Sequence, residues 1–136
     1  MTALTQDRNT PRRAGEDFSH PVAAATTIFA GSLVALNAAG NAIPAATATG
    51  LIVIGRAEER VVNAGAAGVE RVPVRRGVFR WANSTSTDEI TRAEIGDDCW
   101  AVDDQTVAKT SATNTRSVAG KIVDVDAQGV WVRSGI

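Results

Sequence analysis

The residues able to do chemistry are few and widely spaced. His20 is the only histidine, so a multi-histidine metal site is excluded, and a Ser–His pair would have to draw on the polar N-terminal segment. It reads as a solvent-exposed side chain. Two carboxylate pairs, Asp97-Asp98 and Asp103-Asp104, flank a short apolar run. Such oxygen ligands suit Ca²⁺, but the spacing is not that of a Ca²⁺ loop. Nor do they resemble the paired acids of a glycosidase, since they fall in turns without an aromatic-rich cleft around them. They are expected as exposed turn acids. No phosphate-cradling glycine motif and no nucleophile elbow occurs. The single cysteine, Cys99, rules out an internal disulfide framework and reads as a small apolar strand residue. The expectation is a protein that is not an enzyme and uses no cofactor or metal.

Charge is the more informative chemistry. Arg56, Arg60, Arg71, Arg75, Arg76 and Arg80 are gathered mid-chain, and Asp88, Glu89, Glu94, Asp97, Asp98, Asp103 and Asp104 follow closely. The net charge of −1 gives no case for direct nucleic-acid binding. The planar guanidinium fork suits bidentate contact with carboxylates. Two arrangements are open. The faces can pair within one molecule, or basic and acidic faces of neighbouring copies can meet head to tail, which favours a closed ring. In the second case Arg75, Arg76, Arg80, Asp97 and Asp98 are the candidate inter-subunit residues.

Short strands must position these charges. Residues 70–82 interleave Val72, Val74, Val78 and Trp81 with arginines, and Gly77 breaks the period of two. This predicts one bent central strand. Beyond the bend Val78 and Arg80 share one face and Phe79 and Trp81 the other. Residues 51–62 and 69–82 read as a hairpin across the turn 63–68, and residues 21–46 as a strand pair. Residues 88–94 predict a single helical turn, and residues 117–125 and 130–133 a closing hairpin. Residues 1–20 are polar and without period, and are expected to form an extended arm before a β-rich domain over 21–136. Either the arm frays as a terminus, or it orders on a partner through Leu4 and Phe18, with Arg8, Arg12 and Arg13 pairing with carboxylates.

At 136 residues the chain fits one domain plus an arm. Its apolar content is largely Ala and Val, and a core of small residues gains little area per residue, so association with copies or a larger partner is expected. No run approaches the ~18 apolar residues of a membrane span, and no basic-then-apolar leader is evident. The chain is expected to be made in the cytoplasm and to stay there until assembly. An internal echo is also visible. Gly31 to Leu36, then Ala42-Ile43-Pro44, then Ile54-Gly55-Arg56 parallels Gly96 to Val102, then Thr106-Val107-Ala108, then Ala119-Gly120-Lys121. One strand-turn-strand unit used twice fits a small all-β barrel or sandwich of short antiparallel strands, with at most one short helix.

In order, the chain runs from a polar arm to Val74-Arg75-Arg76-Gly77-Val78-Phe79-Arg80-Trp81, a Thr-rich loop, Ile90 to Asp103, Val118-Ala119-Gly120-Lys121-Ile122-Val123 and a final Val-Trp-Val-Arg strand. Over about residues 21–135 this resembles the capsid cement, or head decoration, proteins of tailed bacteriophages. Glu94 stands where that family often has a small residue, and Cys99-Trp100 replaces its usual aromatic pattern. The resemblance implies a β-rich fold, a homotrimer at threefold positions on the outer surface of an icosahedral head, major capsid proteins as partners and no catalysis. Leu4, Arg8, Arg12, Arg13 and Phe18 would be the arm's capsid contacts. Many modest contacts on a closed shell would act as a multivalent clamp. Another virion β-module, of the tail tube or baseplate, is the alternative. A small β-barrel ligand-binding module would need an exposed aromatic platform, whereas Trp81, Trp100 and Trp131 are expected in the core or an interface.

Overall fold

The computed structural model describes residues 2–13 and 15–135. The fold is mainly β: β1 Asp17–Pro21, β2 Thr26–Ile28, β3 Leu33–Leu36, β4 Ala42–Pro44, β5 Ile52–Ala57, β6 Val61–Asn63, β7 Arg71–Arg75, β8 Gly77–Trp81, β9 Asp98–Ala101, β10 Val107–Ala108, β11 Val118–Asp126 and β12 Gly129–Ser134. Named strands pair antiparallel throughout. They form a first sheet ordered β1-β7-β5-β3-β4, a second ordered β8-β12-β11-β9-β10, and a ribbon of β2 and β6. No helix among the described residues is long and apolar enough to cross a membrane.

The two sheets repeat one topology. If the ribbon is set aside, each unit contributes five strands in chain order, and the fifth inserts between the first and the fourth. The register repeats as well. In the first unit Leu33 faces Arg56, Val34 faces Gly55, and Ala35 faces Val53 across a bulge at Ile54. In the second Asp98 faces Lys121, Cys99 faces Gly120, and Trp100 faces Val118 across a bulge at Ala119. The echo in the sequence is therefore a structural duplication. Its invariant point is a glycine where two strands approach too closely for a side chain. A Cβ on Gly55 would lie 2.3 Å from the Arg75 carbonyl oxygen, and one on Gly120 would lie 2.0 Å from that of Arg133. Both glycines also have positive φ, 138° and 153°.

Several expectations change. The predicted bent strand is two strands: β7 belongs to the first sheet and β8 to the second, and the chain crosses between them at Arg76-Gly77. Alternation holds on either side, with Val72, Val74 and Trp81 buried and Val78 and Arg80 exposed. The predicted hairpin of 51–62 with 69–82 registers at Arg56↔Arg75 and Ala57↔Val74, after which Val61–Asn63 leaves to pair with β2. Within 21–46 the antiparallel pair is β3 with β4. The arm is shorter than expected, because β1 pairs along its whole length with β7. Phe18 and His20 pair with Val74 and Val72 in the register, and this backbone ladder binds the segment to the domain. The predicted helical turn is two 3₁₀ turns, Ser86–Asp88 and Arg92–Glu94. The latter is closed by a capping box between Thr91 and Glu94.

The core has two parts. One face of the first sheet (Val34, Ile54, Ala57, Val72, Val74) packs with Ile28 and Val61 of the ribbon. Its other face (Leu33, Ala35, Val53) packs with Cys99, Ala119, Ile122, Val130, Val132 and Trp81 of the second sheet. The layers thus run ribbon, first sheet, second sheet. Asn63 anchors the ribbon. Its buried amide donates to the carbonyl oxygens of Val22, Ala23 and Ala66 at 3.0–3.1 Å and accepts from the Gly65 N–H.

Candidate functional site

The charged residues singled out in the sequence fall in two places. The first is the β1 edge. Arg75 Nε donates to Asp17 Oδ1 at 2.8 Å, and Arg71 donates to the hydroxyl and carbonyl oxygens of Ser19, so two arginines of β7 tie down β1. Arg13 and Arg76 both lie over the Phe18 ring, 4.8 and 4.0 Å from its centroid. Arg75 holds the Asp17 carboxyl below its usual range. His20 is half-buried rather than exposed, and burial together with Arg71, Arg76 and Arg13 pushes its pKa down. Beside this edge, at the crossing between sheets, a cleft of about 220 Å³ is lined by Glu16, Arg76, Val78 and Arg133. It brings one carboxylate and two guanidinium groups to the same place.

The second place is the outward face of the second sheet. Asp98 pairs with Lys121 at 2.8 Å, and register puts Arg133 and Val78 beside them. Arg80 lies 5.7 Å from the Trp131 ring on this same face. Trp100 and Val118 complete it. Asp97 is exposed, and its carbonyl accepts from the Ile122 N–H at 2.9 Å. The five inter-subunit candidates are therefore split: Arg75 and Arg76 at the β1 edge, Arg80 and Asp98 on the outward face, and Asp97 in the bend just before β9. Among the arm candidates, Leu4, Arg8, Arg12 and Arg13 are exposed, with Arg8 bonded to Thr10. Phe18 is half-buried in β1 and belongs to the domain.

The expectation of core or interface did not separate the three tryptophans, of which Trp100 and Trp131 turn outward. The signal was present: Trp131 lies between the buried Val130 and Val132, so alternation turns it outward. Of the three tryptophans, Trp81 is the core one, donating Nε1–H to Ser134 Oγ at 2.9 Å. Among the described residues no group of three or more His, Cys, Asp and Glu side chains is placed to hold a metal ion. Cys99 is buried, and desolvation, with Asp98 beside it, pushes its thiol up to about 12, which disfavours the nucleophilic thiolate. The arrangement offers binding surfaces built of guanidinium, carboxylate and indole. Comparison with protein-family models, with curated proteins and with solved structures finds no match to this chain.

Proposed function

We propose that this chain is a head decoration protein of a tailed bacteriophage. In this reading it is a structural module that sits as a trimer on the outer surface of the capsid and braces neighbouring major capsid proteins. The observation that carries the reading is the segment 2–13. It is exposed at every position, with Leu4 72% exposed, and it leads almost directly into the edge strand β1 of a tightly hydrogen-bonded β module. A segment of that composition gains order by lying on a partner. Leu4 would supply the apolar anchor, and Arg8, Arg12 and Arg13 would meet carboxylates. The order of motifs along the chain, from the polar arm through the stretch around Gly77 to the final hairpin, resembles that family and supports the same reading.

The test is deletion of residues 1–13, which leaves β1 and its pairing intact. The expected result is an unchanged unfolding midpoint with little or no decoration of expanded, undecorated phage heads in a co-sedimentation assay. Truncated protein that decorates heads at full occupancy overturns the arm reading. Rings of six rather than three would move the protein from head to tail.

A further inference from the structure

We propose that the outward face of the second sheet is the surface through which copies of this chain associate. The argument starts from the internal duplication. In the first unit the face bearing Leu33, Ala35 and Val53 is buried, and what covers it is a sheet of the same topology. The same positions of the second unit are Asp98, Trp100 and Val118. Among the described residues no layer covers their face: Val78 is 44% exposed and Val118 39%, and Trp100 and Trp131 are only half-buried. Two indoles and two valines on one open sheet face have the composition of an interface centre.

The charges on that face identify the occupant. Arg80, Lys121 and Arg133 are interleaved with Asp98 and Asp124 on neighbouring strands. Asp98 and Lys121 pair within the chain at 2.8 Å and Asp124 pairs with Arg92 at 2.6 Å, so a partner of one sign would have to compete with closed pairs, and a lipid surface would strip them of water. A second copy presents both signs to both signs, as a contact between identical surfaces requires. The covered face of the first sheet already shows the mode within the chain, with Arg56 from its rim lying 4.3 Å from the Phe79 ring of the covering sheet. Arg80 and Trp131 offer the same chemistry outward. Contact between identical surfaces pairs copies two by two, so this face is distinct from the threefold contact of the capsid reading, and because it is tested on the isolated protein its failure leaves the head-binding test unaffected.

The experiment is sedimentation velocity of the full chain over a concentration series, compared with the single-chain mass of 14.1 kDa. Wild type is expected to sediment as a multimer at high concentration. Val118→Lys and Val78→Lys should each weaken association about tenfold or more, since each puts an uncompensated cation at the contact. Both residues are exposed, so the fold tolerates the change. Val69→Lys, at a 65% exposed position before β7, should associate as wild type does. A second readout needs no variant: association should protect tryptophan emission from acrylamide, because Trp100 and Trp131 are the accessible indoles. The proposal is overturned by a mass of 14.1 kDa at every concentration, by undiminished association of both lysine variants, or by association without protection of the emission.

Discussion

Among the described residues, the first sheet is covered on both faces and the second on one. The ribbon closes over Val34, Ile54 and Val74, and the second sheet closes over Leu33, Ala35 and Val53. The matching pair of positions, Ala35 and Trp100, shows what coverage demands. Stacked sheets lie ~10 Å apart, and Ala35 is fully buried beneath the other layer. Among the described residues no layer lies above Trp100, which projects a large ring instead. Gly55 and Gly120 occupy matching positions and are both glycine, because their constraint comes from the adjacent strand of their own sheet and not from what lies above. Contacts within a sheet are thus duplicated faithfully, while contacts between layers differ.

The comparison can be broken hardest at those glycines. Gly55→Ala and Gly120→Ala each force a Cβ into a carbonyl oxygen at positive φ. Each should cost about 3 kcal/mol or more in urea unfolding. Similar losses would confirm that the two sites are equivalent, and a tolerated alanine at either would end the equivalence. The ribbon, which only the first unit has, offers a sharper probe. Asn63→Ala leaves the Ala23 carbonyl without its donor and the Gly65 N–H without its acceptor, while the Val22 and Ala66 carbonyls keep the Gly68 and Val69 N–H groups. A loss of about 2 kcal/mol is expected, with hydrogen-exchange protection falling first in β2 and β6.

Acid is the mildest lever and should act on the second unit first. Asp88, held by Thr110 and Arg116, Glu94, held by Thr91, Asp124, held by the Val125 N–H and Arg92, and Asp126, held by Trp131, all have carboxyls below their usual range. In the first unit Asp17 is in the same position through Arg75. A carboxylate whose pKa is lowered by folding contributes stability that is complete above its unfolded pKa and is lost as pH falls through the folded one. Exchange protection, corrected for intrinsic rates, should therefore drop more in β11 and β12 than in β5 and β7 between about pH 5 and about pH 3. Equal loss in both units would remove this asymmetry. His20, also lowered, adds a small loss on the first unit's side as pH falls below about 6.5.

Residue types and spacing alone determined that the chain is built of short antiparallel strands, that Val72, Val74 and Trp81 turn inward, and that a Gly-basic strand occurs twice. These are local properties: alternation of two, turn residues at strand ends, and a glycine where a side chain will not fit. The exposure of Leu4, Arg8, Arg12 and Arg13 belongs with them, since a polar segment without period has no apolar face to bury. What lies across from each strand was decided only in three dimensions. Alternation says which side chains share a face but not which sheet the strand joins, so Gly77 read as a bend when it is the passage from one sheet to the other. Phe18 and His20 are too few to announce a strand without the Val72 and Val74 that receive them. Arg75 and Arg80, close in sequence, part company for the same reason. Whether Trp100 or its counterpart Ala35 is covered depends on the order of the layers, which sequence spacing within a single strand does not encode.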